Sequence, residues 1–123
     1  MYEIIVEDYF DSAHFLRGYQ GKCENIHGHR YTIRVRLKIK KLNEIGLAYD
    51  FTDLKRYLAE IVAKFDHSSL NEIPPFDKIN PSAENIAETI YHQLRKKLSQ
   101  EAVTIVGIEA WETPHQGVVY TPD

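Results

Sequence analysis

The densest chemistry in this chain lies in the run Cys23-Glu24-Asn25-Ile26-His27-Gly28-His29. Two histidines at i and i+2 on an extended backbone put both imidazoles on one side, and Gly28 between them leaves room for close backbone approach. His14 offers a third imidazole, because Ser12-Ala13-His14 ends a strand-like segment and consecutive strands commonly lie side by side. Three imidazoles suit Zn2+, with the fourth tetrahedral position left to water or substrate. The alternative is three unrelated histidines, which the i, i+2 spacing disfavours.

Cys23 admits three roles. Its sulfur can join the three imidazoles and close a sealed structural site, or stand beside the cation and gain thiolate character as a base or nucleophile. It can also be an inert buried thiol. Asp66-His67 is a second candidate, since a carboxylate can orient an imidazole and raise its basicity, although neighbouring residues often point apart and a solvated helix end is the plainer reading. Glu112 shares parity with Ile108 and Ala110, so in a regular strand it points to the apolar side. Its two oxygens would match a planar pair of N–H donors, such as the guanidine-like edge of a heterocycle, whereas a Glu112 past the buried stretch of the strand would be solvated. His92 and His115 carry no assigned role.

The elements that must position these groups follow from periodicity. Residues 2–10 read as a strand, and Arg30 to Lys40 as a long strand in which Tyr31, Ile33, Val35, Leu37 and Ile39 alternate with polar, mostly basic residues. Cross-strand pairing with Glu3 and Glu7 would neutralise that basic face. After a turn around Asn43–Gly46, Leu54, Leu58, Ile61, Val62 and Phe65 recur at helix spacing behind Asp50 or Thr52 as a cap. Pro74, Pro75 and Pro81 interrupt regular structure. Ser82 then caps a second helix with Ile86, Ile90, Tyr91, Leu94 and Leu98 inside. Residues 103–112 and 117–121 read as two further strands joined at Pro114-His115-Gln116-Gly117. The order predicts one α+β domain over residues 1–123, with two helices on one face of a four-stranded antiparallel sheet.

Composition narrows the function. The chain has 123 residues, one cysteine and a formal net charge of −3, which excludes an internal disulfide scaffold and a global field for nucleic acid or anionic membrane. Acids break the first apolar run too early for a signal peptide or a span, so a cytoplasmic protein is expected.

Taken in order, Ala13-His14, Cys23-x-x-x-His27-Gly28-His29, Asp66-His67, Asn80-Pro81-Ser82-x-Glu84-Asn85 and Glu112-Thr113 resemble the 6-pyruvoyl-tetrahydropterin synthase family over essentially the whole chain. The short length is similar to the bacterial branch, the 6-carboxy-5,6,7,8-tetrahydropterin synthases of queuosine biosynthesis. The resemblance implies the tunnelling fold, with three subunits closing a barrel and two trimers stacking into a homohexamer. The basic strand face would then line that barrel.

It also implies roles: His14, His27 and His29 as zinc ligands, Cys23, Asp66 and His67 as the catalytic set, and Glu112 as the anchor of a pterin. The implied substrate is 7,8-dihydroneopterin triphosphate, and the implied products are the 6-carboxy pterin, triphosphate and acetaldehyde. Asp66 and His67 would serve a neighbouring subunit's zinc. Relatives that make 6-hydroxymethyl-7,8-dihydropterin for folate carry Glu-x-x-His-Gly-His, which Glu24 fits, so Cys23 and Glu24 both stand as proton-transfer candidates. Ala83 departs from the small hydroxyl residue usual before the family's glutamate. A non-catalytic pterin-binding or zinc-stabilised module is the alternative class.

Overall fold

The computed structural model describes residues 1–20 and 25–123, so Cys23 and Glu24 lie outside the described residues. Strands β1 (Tyr2–His14) and β2 (His27–Ile39) form an unbroken antiparallel ladder from Tyr2 opposite Ile39 to His14 opposite His27. Helix α1 (Phe51–Val62) follows, then the short strand β3 (Ser68–Ser69), helix α2 (Ala83–Lys97), and strands β4 (Thr104–Thr113) and β5 (Gln116–Tyr120). The sheet order is β3-β1-β2-β4-β5.

The sheet has five strands where periodicity predicts four. The added strand is β3, which runs parallel to β1 with Ser12 opposite Ser68 and Ala13 opposite Ser69. Two serines carry no period, and their pairing depends on anchors in β1 that are remote in sequence.

Alternation divides the sheet as expected. Tyr31, Ile33, Val35, Leu37 and Ile39 are buried against the helices, joined by Val6 and Phe10 of β1 and Ile108 and Ala110 of β4. Leu54, Leu58 and Ile61 of α1 and Ile86, Ile90 and Leu94 of α2 complete this core. Asp50 accepts the Thr52 N–H at 2.8 Å to cap α1, and the Ser82 hydroxyl accepts the Asn85 N–H at 3.1 Å to cap α2.

On the opposite face the basic residues of β2 meet acids across the strands. Arg30 pairs with Asp11 at 2.9 Å, Arg34 with Glu7 at 3.1 Å and Glu109 at 3.0 Å, and Arg36 with Glu3 at 2.5 Å. Half-exposed pairs of this kind add little stability, but they remove the charge imbalance that the strand would carry alone. No helix among the described residues is long and apolar enough to cross a membrane.

Candidate metal centre

The β1–β2 register brings the histidines together. His14 and His27 are direct cross-strand partners and His29 lies opposite Ser12, so all three side chains leave the sheet on the helix side. The ring centroids are 4.5 Å apart for His14 and His27, 4.7 Å for His27 and His29, and 5.5 Å for His14 and His29. Gly28 is less constrained than its place in the sequence predicts. A Cβ there would stand 3.7 Å from the Ser12 carbonyl, an ordinary contact.

Hydrogen bonds assign the tautomers. His14 Nδ1 lies 2.7 Å from the Pro81 carbonyl, and His27 Nδ1 lies 2.7 Å from the Asn25 carbonyl. A carbonyl only accepts, so each Nδ1 carries the proton and each Nε2 keeps its lone pair. Those two Nε2 atoms face each other at 2.9 Å. Two lone pairs at that distance repel unless a cation or a proton lies between them. His29 Nε2 is buried without a hydrogen bond, for the Glu112 carboxylate approaches it to 2.9 Å without the alignment that a hydrogen bond requires.

Burial lowers the pKa of His14 and of His29, which favours the neutral, ligating form. In His14 the Pro81 bond opposes that shift, as the Glu112 charge does in His29. Ligand atoms of His14, His27, His29 and Glu112 all lie within 4.8 Å of one another. Nitrogens about 2.1 Å from a tetrahedral ion stand about 3.4 Å apart, so these groups are near enough to share one metal ion, and imidazole and carboxylate are among the donors that Zn2+ takes.

Glu112 reaches the cluster from β4. It keeps the parity of Ile108 and Ala110, but the β4–β5 register shifts between Trp111 and Thr113, which leaves Glu112 without a partner in β5. A bulge at this point aims the carboxylate inward at the end of the sheet.

Asp66 and His67 form a second, separate cluster with Asp11. Although adjacent, they do pair: His67 Nδ1 lies 2.8 Å from Asp66 Oδ2. The backbone explains this, for His67 adopts φ +54 and donates its N–H to the Asp11 carbonyl at 2.6 Å. The Asp11 N–H in turn donates to Asp66 Oδ1 at 2.9 Å. That backbone N–H, followed by the His67 contact, holds the Asp66 carboxyl below the usual carboxylate value. Arg30 does the same for Asp11. The His67 ring is 80% exposed and borders an open depression of about 590 Å3 with Asp11, Gly28, Arg30, Ser68 and Ser69. An exposed imidazole oriented through Nδ1 presents Nε2 to whatever enters.

With this geometry in place, the family described as 6-pyruvoyl tetrahydropterin synthase matches residues 3–123. The chain belongs to that family. It is 41% identical over 88 residues to a putative 6-carboxy-5,6,7,8-tetrahydropterin synthase of Archaeoglobus fulgidus, covering 72% of this chain and 71% of the relative. It is 32% identical over 136 aligned positions to the 6-carboxy-5,6,7,8-tetrahydropterin synthase of Haemophilus influenzae, covering 93% and 94%. The solved 6-pyruvoyl tetrahydropterin synthase of Caenorhabditis elegans superposes with a TM-score of 0.87 at 25% identity, over 99% of this chain and 96% of that one. The α+β tunnelling fold is thereby established for this chain, which is an enzyme of the 6-pyruvoyl tetrahydropterin synthase family.

For this family member the structure unites four of the site residues expected from sequence: His14, His27, His29 and Glu112. Asp66 and His67 pair with each other, apart from the metal cluster. Sequence reasoning missed the carbonyls of Asn25 and Pro81, which orient the imidazoles, and Asp11, which holds the Asp66-His67 pair. A main-chain carbonyl leaves no mark on residue type, while Asp11 could have been flagged by its shared parity with Glu3 and Glu7.

Proposed function

We propose that this enzyme converts 7,8-dihydroneopterin triphosphate and one water to 6-carboxy-5,6,7,8-tetrahydropterin, triphosphate and acetaldehyde, using Zn2+ held by His14, His27 and His29. The observation that carries the metal reading is the pair of lone-pair-bearing Nε2 atoms 2.9 Å apart. The Archaeoglobus and Haemophilus relatives, both named for the 6-carboxy product, support the choice of reaction. When bound, the zinc supplies Lewis acidity toward the hydroxyls of the substrate side chain.

The remaining work falls to the chain's own groups. Glu112, half-buried at the mouth of the cluster, accepts two N–H donors from the pterin ring. Cys23, four positions before His27, moves the proton released from the side chain. In the Asp66-His67 pair, the carboxylate holds Nδ1–H so that Nε2 takes or returns a proton. The pair acts on the zinc site of a neighbouring subunit. Two unpaired sheet edges, residues 2–10 of β1 and the outer side of β5, support assembly of a barrel by edge pairing among the described residues. A homohexamer, built as two stacked trimers in the cytoplasm, is part of this reading.

Glu24, three positions before His27, favours a second reading in which it moves the proton and the product is 6-hydroxymethyl-7,8-dihydropterin for folate synthesis. Mass spectrometry of the pterins formed by zinc-loaded protein, Cys23→Ala and Glu24→Ala separates the two. A 6-carboxy product that disappears with Cys23 supports the first reading, and a 6-hydroxymethyl product that disappears with Glu24 supports the second. No turnover by the zinc-loaded wild type overturns both in favour of a pterin-binding module.

A further inference from the structure

The segment Asn80-Pro81-Ser82-Ala83-Glu84-Asn85 supplies no side chain to the metal cluster, yet it touches the cluster through a main-chain atom. The Pro81 carbonyl accepts from His14 Nδ1 at 2.7 Å. Pro81 is buried, and the residue before it grips β1's continuation at two points. Asn80 Oδ1 accepts the Arg17 N–H at 2.9 Å, and Asn80 Nδ2 donates to the Arg17 carbonyl at 3.0 Å. His14 and Arg17 are three residues apart, so the contacts close a ring through His14, Pro81, Asn80 and Arg17. A strut from the first turn of α2 braces it, for Asn85 Nδ2 donates to the Asn80 carbonyl at 2.8 Å while its own N–H bonds the Ser82 cap.

We propose that Asn80 and Asn85 are positioning residues that hold the Pro81 carbonyl against His14 Nδ1 and thereby keep the His14 Nε2 lone pair aimed into the metal centre. The physical basis is the coupling of a ligand's second ring nitrogen to its donor strength and orientation. A proline carbonyl cannot be removed by a side-chain change, so the two asparagines that aim it are the accessible handles. Without them the Pro81 carbonyl can rotate from Nδ1, and the imidazole is free to move its proton to Nε2, which removes the lone pair aimed at the metal centre.

The inference rests on the metal reading above, and its test separates the two. Metal-free wild type, Asn80→Ala, Asn85→Ala and the unrelated cap variant Asp50→Ala are compared in two ways. The His14 tautomer is read by ring-nitrogen NMR at about pH 8, above the imidazole range. Zinc affinity is read by competition with a chromophoric chelator. The expected result is a single Nδ1–H tautomer for His14 in wild type and Asp50→Ala, a mixture in either asparagine variant, and about a 10-fold loss of zinc affinity confined to the asparagine variants. An unchanged tautomer and affinity in whichever asparagine variant folds overturns the proposal, as does an equal affinity loss in Asp50→Ala. Wild type that binds no zinc overturns the metal reading, while the tautomer comparison still decides what Asn80 and Asn85 do to His14.

Discussion

The Glu112 carboxylate stands 2.9 Å from His29 Nε2, with 17% of the Glu112 side chain and 22% of the His29 side chain exposed. The contact joins β4 to β2 at the open end of the helix-side core, where an acid of the parity of Ile108 and Ala110 meets the last imidazole of the cluster. A carboxylate in that position can anchor a ligand's N–H pair without being needed for the metal. Glu112→Ala is therefore expected to keep stoichiometric zinc while pterin affinity falls by about 10- to 100-fold, the worth of one or two hydrogen bonds to a charged acceptor. Equilibrium titration with a pterin, beside metal analysis of the same sample, measures both, and loss of zinc with unchanged pterin affinity would reassign Glu112 as a ligand.

His27→Ala and Cys23→Ala are expected to diverge. The first removes one of the two facing Nε2 atoms and should abolish stoichiometric zinc. The second should retain zinc and lose turnover. Metal content by emission spectroscopy and product formation by mass spectrometry give the comparison, and a Cys23→Ala protein that has lost its zinc would indicate a closed four-ligand structural site.

The metal-free protein should lose stability as the solution is acidified through the histidine range. Burial holds His14 and His29 below the ordinary imidazole value of 6.5, so the folded state binds fewer protons than the unfolded chain just below that pH. Stability from these two groups is full above about pH 6.5 and falls as pH drops toward the folded values. Denaturation midpoints in buffers at about pH 8, 6.5 and 5 test the sign, which would be wrong if the apoprotein were more stable at the acid end.

Gly117→Ala should destabilise the hairpin that carries Glu112. A Cβ at Gly117 would stand 2.6 Å from Trp111 Cδ2 and 2.9 Å from the Ala110 carbonyl, so ring and backbone must both give way. Overpacking of this kind costs about 1–3 kcal/mol. Thermal unfolding of the variant reads the cost, and unaltered stability would mean that the indole can leave its place over Gly117.

Much of this protein could be read from its residue types in order. Alternation from Arg30 onward determined which face of β2 is buried, the spacing of Leu54, Leu58 and Ile61 determined the inner face of α1, and His27-Gly28-His29 determined that two imidazoles share a side. These are local consequences of strand and helix period, which the neighbouring residues suffice to set. The placement of Asp50 and Ser82 as caps has the same local origin.

Tertiary structure alone decided the rest. The register of β1 against β2 set His14 opposite His27, the bulge after Trp111 set where Glu112 points, and the Asp11 backbone drew Asp66 and His67 together at a positive φ. The added strand β3 and the Pro81 carbonyl beneath His14 belong here too. Each depends on a main-chain group or a pairing register between segments distant in sequence. Such contacts are set by the packing of the whole sheet against its helices, because backbone donors and acceptors are common to nearly every residue type and carry no compositional signal.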